Sequence, residues 1–335
     1  MPPIVAANKE TIKQAASLLQ SGEIVVLPTE TVYGLGADAR NNDAVAKIFK
    51  AKNRPAINPL IVHVIDKNAA SELVYMNEQA DKVADVFWPG ALTLILPAQD
   101  NNDISPHVTA NLKTLAIRVP SHKIMRDVIK QAGLPIAAPS ANNSGEPSAT
   151  TPAHAAQSLG DNAPFILAAG PCDVGLESTI LDLSDETPTI LRHGAITQED
   201  LENILGTVRV DVTPTKDSTS SIKSPIKSPG QLLKHYAPNI PIRLNAVDVK
   251  DGEALLAFGS TKFMGLKSGG SVNELPDTAF KNLSEDSDLE EAAQNLFMML
   301  RDLDRPEHKA IAVMNIPNKS IGIAINERLN RAAQL

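Results

Sequence analysis

Apolar residues recur at three- and four-residue spacing in Glu10–Gln20, Asp43–Lys50, Glu78–Val86 and Lys123–Gln131. Side chains spaced this way share one face of a helix, so four amphipathic helices are expected. Short apolar runs bounded by Pro or Gly lie between and after them: Glu23–Leu27, Leu60–Ile65, Ala91–Leu96, Leu115–Val119, Ile136–Ala138, Phe165–Ala168, Ser178–Leu183 and Thr189–Leu191. These read as strands. Thr151-Pro152 places a capping hydroxyl before a proline at the first helical position, and Thr197-Gln198-Glu199-Asp200 is a second capped start. Some strands follow one another with no helix between, which predicts an α/β fold with mixed sheet pairing.

The pattern changes after residue 206. Thr213 to Gly230 contains eight Ser or Thr, three Pro, three Lys and only two aliphatic residues. Such a stretch buries too little apolar surface to offset its ordering entropy, so it reads as a linker. Periodicity then returns. Ile240–Leu244, Ala254–Phe258 and Ala310–Val313 are strand-like, and Asp288–Leu303 and Ile323–Ala333 are helical. The predicted organisation is a larger α/β domain over 1–206, a linker over 207–239 and a smaller, Rossmann-like α/β domain over 240–335. Gly269-Gly270 in the last part lacks the spacing of a dinucleotide fingerprint.

Two domains suit a length of 335 residues, and 43% hydrophobic with 21% charged residues is ordinary for a globular chain. The net charge of −8 argues against gripping nucleic acid by bulk charge, so weak or no direct nucleic-acid binding is expected. A single cysteine, Cys172, excludes an internal disulfide and fits a reducing compartment. With no signal pattern and no apolar run near the ~18 residues of a membrane span, a cytoplasmic protein is expected.

Lys50, Lys52 and Arg54 crowd the end of the second helical stretch, just before Pro55. Proline disfavours helix at the residue before it, so the cluster ends in a loop, where cations suit a polyphosphate. Lys50 and Arg54 would share a face if the last turn persisted; the plain alternative is a solvated lysine face. Arg118 and His63 each sit inside an apolar strand. A buried arginine needs an anion, either a ligand or an internal salt bridge, and a core histidine with one satisfied nitrogen is the common alternative for His63. Ser140 follows a short strand, where its hydroxyl or amide can address a ligand or merely close a turn. Tyr33-Gly34-Leu35-Gly36 is no Walker-type phosphate loop; its glycines are expected to permit close backbone approach at a turn. The seven histidines show no metal-ligand spacing, so a bound structural metal is not expected.

Taken in order, Pro28-Thr29-Glu30-Thr31-Val32-Tyr33-Gly34-Leu35-Gly36, Lys50 to Pro55, Asn58-Pro59-Leu60-Ile61-Val62-His63-Val64, Phe87-Trp88-Pro89-Gly90, Ala116-Ile117-Arg118-Val119-Pro120, Ala138-Pro139-Ser140-Ala141-Asn142-Asn143-Ser144-Gly145, Glu177-Ser178-Thr179-Ile180 and Leu191-Arg192-His193-Gly194 form an ordered series. The series resembles the YrdC-like family of L-threonylcarbamoyladenylate synthases. Ser228-Pro229-Gly230 through His235-Tyr236-Ala237-Pro238 resembles the linker of that family's long, two-domain form. The resemblance implies a YrdC-like twisted mixed sheet with helices. It also implies a reaction joining L-threonine, bicarbonate and ATP into threonylcarbamoyl-AMP and pyrophosphate, for threonylcarbamoyladenosine in tRNA.

By resemblance, Lys52, Arg54, Ser140 and Asn142 form a signature tetrad. ATP is met by Lys50, Arg54, Asn58, Thr114, Ser140, Ser148, Arg192 and Tyr236. Threonine is met by Thr31, His63, Arg118, Ala138 and Ser178. Magnesium would arrive with ATP, needing few protein carboxylates, and the product would pass to a tRNA threonylcarbamoyltransferase complex. The segment from Ser228 to Pro238 is expected to act as a lid that excludes water from a labile mixed anhydride; the plain alternative is that Leu232, Leu233 and Tyr236 simply dock on either domain as structure. A competing reading is an RNA-binding module of the same fold. It is opposed by the acidic net charge and by aromatic residues at only 3%. A third, a carbamoyl-phosphate-using relative, lacks its expected zinc-finger and acylphosphatase-like segments here.

Overall fold

A computed structural model describes residues 4–55, 58–212 and 235–334. The larger unit is built on a mixed sheet of eleven strands among the described residues. From one edge these are Ile4–Ala6, Phe165–Ala168, Val25–Leu27, Gly34–Asp38, Ile136–Ala137, Ile61–His63, Thr114–Arg118, Leu92–Pro97, Thr179–Asp182, Thr189–Arg192 and Arg209–Val210. Parallel and antiparallel neighbours alternate irregularly along it.

Helices cover both faces. Lys9–Gln20 and Lys123–Ala132 enclose one apolar cluster with Val25, Leu27, Ile136 and Leu167. Asn42–Lys52 and Glu78–Phe87 help to close the larger cluster on the other side, around Leu35, Val62, Leu94 and Ile117. Local chemistry sets the helix ends. Asn8 and Thr11 form a reciprocal capping box, and so do Thr197 and Asp200. Thr151 caps the helix that Pro152 opens.

The glycine stretch corrects the sequence expectation. Gly34–Asp38 is a strand in the middle of the sheet rather than a turn. The expected close approach is nevertheless its physical basis. A Cβ on Gly36 would stand 2.9 Å from Leu27 Cδ1 and 3.0 Å from Ile136 Cγ2, so any larger residue would have to push these side chains aside. Glycines lower strand propensity, which hid the element. Arg209–Val210 pairs in parallel with Thr189–Ile190, so the chain stays with this sheet beyond residue 206.

The second unit is a four-stranded parallel sheet in the order Ile242–Arg243, Ala310–Val313, Glu253–Ala257, Phe280–Asn282. Helices Leu289–Leu303 and Gly322–Ala332 pack on it. Its apolar core takes in Leu176 from the larger unit and Tyr236 from the connecting segment. The two units therefore share a packed boundary. Residues 213–230, expected to be a flexible run, and most of the expected lid lie outside the described residues; its end, from His235, lies inside them.

Candidate active site

A cavity opens along the larger sheet, and its wall is completed by His235 and Tyr236. The structure brings Thr31, His63, Arg118, Ala138, Ser140, Ser178, Arg192 and Tyr236 to its lining, from seven separate stretches of chain.

One end is built around Arg118. The strand Thr114–Arg118 pairs in register with Ile61–His63, placing His63 opposite Arg118. The guanidinium is 3% exposed and uses all three nitrogens: Nε donates to Gly90 O at 2.9 Å, Nη1 to Thr31 Oγ1 at 2.9 Å and Nη2 to Glu30 Oε1 at 2.6 Å. The internal salt bridge left open by the sequence is therefore present, and Arg118 lines the cavity as well. Burial alone would push the Glu30 carboxyl up. The Arg118 charge and the Ser121 backbone N–H override it and hold Glu30 down at about 2. Burial, aided by Arg118, lowers His63 to about 3, so its ring is neutral. His63 Nδ1 is buried with no hydrogen-bond partner among the described residues. An unpartnered buried nitrogen in a cavity wall is a costly placement unless a ligand meets it.

The helix Asn42–Lys52 stops at Asn53, which adopts the left-handed conformation with φ 49°; Lys52, Arg54, Asn58 and Asn142 lie outside the cavity lining. The last turn does not persist. Lys50 is exposed and outside the cavity lining, while Arg54 is buried, so the two do not share a face. Lys52 is 1% exposed, and its Nζ donates to the carbonyls of both Ser140 and Asn142. The spacing Lys-x-Arg with Ser-x-Asn thus has a direct structural meaning: one cation pins the other pair's backbone. Burial first, and Arg54 second, draw the Lys52 ammonium well below its ordinary range.

Arg54 donates to Asn58 O and Pro59 O, and burial with the nearby Arg192 charge lowers it to about 10. It remains a cation at neutral pH. Arg192 donates to Ser178 O at 3.0 Å and to Ser178 Oγ at 3.1 Å. Asn58 is buried with neither side-chain amide atom partnered among the described residues, and Asn142 Oδ1 is likewise unpartnered. Ser148 is wholly buried behind the wall, donating to Glu177. Thr114 opens the strand that Arg118 ends and is outside the cavity lining.

Sequence reasoning missed Glu30 and Glu177. Both lie in the quoted motifs, next to Thr31 and Ser178, but a lone glutamate carries no signal until its arginine is known. It also missed any contribution from the last helix, whose Arg328 pairs with Glu177 at 3.1 Å. Tyr236, 1% exposed, stacks on Phe297 of the second unit with ring centres 5.5 Å apart.

Two protein-family models together match most of the chain. A family model described as telomere recombination, covering Sua5, YciO and YrdC proteins, matches residues 17–194. One described as the threonylcarbamoyl-AMP synthase C-terminal domain matches residues 196–334. The chain belongs to the threonylcarbamoyl-AMP synthase family. It is 40% identical to the threonylcarbamoyl-AMP synthase of Bacillus subtilis over 333 residues, 98% of this chain and 94% of that protein. It is 36% identical to the one from Pyrococcus abyssi, covering 96% of this chain and 94% of the relative. A crystal structure of P. abyssi Sua5 complexed with L-threonine superimposes with a TM-score of 0.85 at 32% identity, over 99% of this chain and 97% of that one.

Proposed function

We infer that this threonylcarbamoyl-AMP synthase family member joins L-threonine, bicarbonate and ATP into threonylcarbamoyl-AMP and pyrophosphate, supplying threonylcarbamoyladenosine in tRNA. The observation that carries the reading is a single cavity lined by both Arg118 and Arg192, with the buried Arg54 charge close to Arg192. Such a site suits an amino acid carboxylate at one end and a polyphosphate at the other.

The threonine amine first condenses with bicarbonate, losing water, to give a carbamate. A carbamate oxygen then bonds to the α-phosphorus of ATP, and the bond from that phosphorus to the bridging oxygen breaks, releasing pyrophosphate. Positioning and charge stabilisation carry such chemistry. Arg118, oriented by Glu30 and Thr31, meets the threonine carboxylate, with His63, Ser178 and the backbone at Ala138 around the rest. Arg54, Arg192 and Asn58 meet the phosphates, and Ser140 the nucleotide. Lys52 holds the Ser140–Asn142 loop in shape. Tyr236 closes the nucleotide end, as the last part of a lid between a catalytic unit of about the first two hundred residues and the C-terminal unit.

Magnesium enters as part of the ATP substrate. Among the described residues no group of three or more His, Cys, Asp or Glu is arranged to hold a metal ion. Glu177 in the cavity lining and Glu30 beside Arg118 are already paired with arginines. The chain's own residues therefore fit a cation held by phosphates and water rather than a resident metal. No helix among the described residues is long and apolar enough to cross a membrane. Within this proposal the enzyme works in the cytoplasm and passes its labile product to a tRNA threonylcarbamoyltransferase complex. Pyrophosphate release from ATP, with threonine and bicarbonate omitted in turn, tests the reading. Release that needs neither co-substrate would overturn it.

A further inference from the structure

Arg328 sits on the last helix, Gly322–Ala332, yet its side chain is wholly buried against the wall of a cavity formed mainly by the larger unit. Its Nε donates to Glu177 Oε2 at 3.1 Å, and its guanidinium carbon lies 5.4 Å from the centre of the Tyr236 ring. Glu177 and Tyr236 both line the cavity, so Arg328 touches the wall at two places without lining it. Nη1 and Nη2 have no hydrogen-bond partner among the described residues; Nη1 lies 3.5 Å from Glu327. Hydrogen bonding alone therefore does not explain the placement of this cation. Charge does.

Glu177 is a paradox in a cavity suited to a polyphosphate, because an ionised carboxylate in the wall repels an anion. Burial would favour its neutral form, but Arg328 and Arg192 keep it ionised. Every other charged group of the last helix facing this region is already engaged. Glu327 accepts from the His193 backbone N–H, and Arg331 pairs with Glu327 and donates to Val212 O. From the larger unit, Arg192 and the buried ring of His193 face Arg328.

We propose that Arg328 is a positioning residue for ATP: it neutralises Glu177 and seats the Tyr236 ring, so the nucleotide end is fully attractive to phosphate only while the C-terminal unit is docked. The proposal rests on the function inferred above. It gives the C-terminal unit a task in the reaction although, among the described residues, that unit supplies no group to the cavity lining. It also separates charge balance from mere packing, because the two make opposite predictions for a double variant.

The test compares wild type, Arg328→Gln, Glu177→Gln and the double variant, reading KM for ATP and for threonine from pyrophosphate release and ATP affinity by calorimetry. Arg328→Gln leaves Glu177 with only Arg192 as a nearby counter-charge and is expected to raise the ATP KM roughly ten- to a hundredfold, with the threonine KM within about threefold. Adding Glu177→Gln removes the under-compensated carboxylate and is expected to restore most of that loss. Arg328→Lys, which keeps the charge and is the gentler change for folding, should stay within about threefold of wild type for ATP. An unchanged ATP KM in Arg328→Gln, or a double variant no better than the single, overturns the proposal. Should wild type release no pyrophosphate with all three substrates, the inferred function fails instead, and ATP calorimetry across the same variants still decides the role of Arg328.

Discussion

Arg118 shows how much rests on single buried groups. Its three nitrogens are held by Gly90, Thr31 and Glu30, so the guanidinium is fixed before any substrate arrives. Replacing it with lysine removes the planar fork and keeps the charge. Arg118→Lys is expected to raise the threonine KM about tenfold or more and to leave the ATP KM within about threefold. Steady-state kinetics with each substrate varied checks this, and the reverse pattern would move Arg118 to the nucleotide. His63 makes a separate prediction about acid stability. Its ordinary pKa of 6.5 falls to about 3 in the fold, through burial and then Arg118. Between those values the unfolded chain binds a proton that the folded one refuses, so this contribution to stability is complete above about pH 6.5 and declines as pH falls toward 3. The drop should reach a few kcal/mol, since a tenfold change in proton affinity corresponds to about 1.4 kcal/mol. His235, also lowered to about 3 by burial, adds to the same slope. Denaturant unfolding from pH 7 to 4 should show His63→Asn with a shallower decline than wild type.

At the scale of elements, the end of the helix Asn42–Lys52 organises the nucleotide side. Lys52 pins the carbonyls of Ser140 and Asn142, and Ser144 N–H returns a bond to Lys52 O at 3.0 Å. Lys52→Met should cost about 1–3 kcal/mol in urea unfolding, because two buried carbonyls lose their charged donor. Turnover should fall further than stability does, and full turnover would mean that the Ser140–Asn142 loop holds its shape unaided. The same element shows the limit of sequence reading. The cationic cluster was legible, but its division into one exposed lysine, one structural lysine and one buried arginine was not. That division depends on Asn53 turning left-handed and on which carbonyls come within reach.

At the scale of the whole molecule, backbone meets backbone closely at the boundary between the units. A Cβ at Gly175 would lie 2.5 Å from the Cα of Gln294 on the helix Leu289–Leu303, and Gly175 also has φ +75°. Backbone cannot give way as a flexible side chain can. Gly175→Ala should therefore loosen docking, splitting thermal unfolding into two transitions and weakening ATP more than threonine. A single transition at the wild-type temperature would show that the boundary tolerates the shift.

The alternation of strands and helices, the capped helix starts and the ordered motifs were all set by local spacing, which sequence carries directly. The Gly34–Asp38 strand was not, because glycines have low strand propensity, and the residues that crowd them, Ala138 at Gly34 and Leu27 and Ile136 at Gly36, are brought alongside by the sheet. The pairings of Arg118 with Glu30 and of Arg328 with Glu177 join residues 88 and 151 positions apart. No local pattern encodes such partners. The tertiary structure decided them, because a charge buried with the core must find its counter-charge wherever the fold places one.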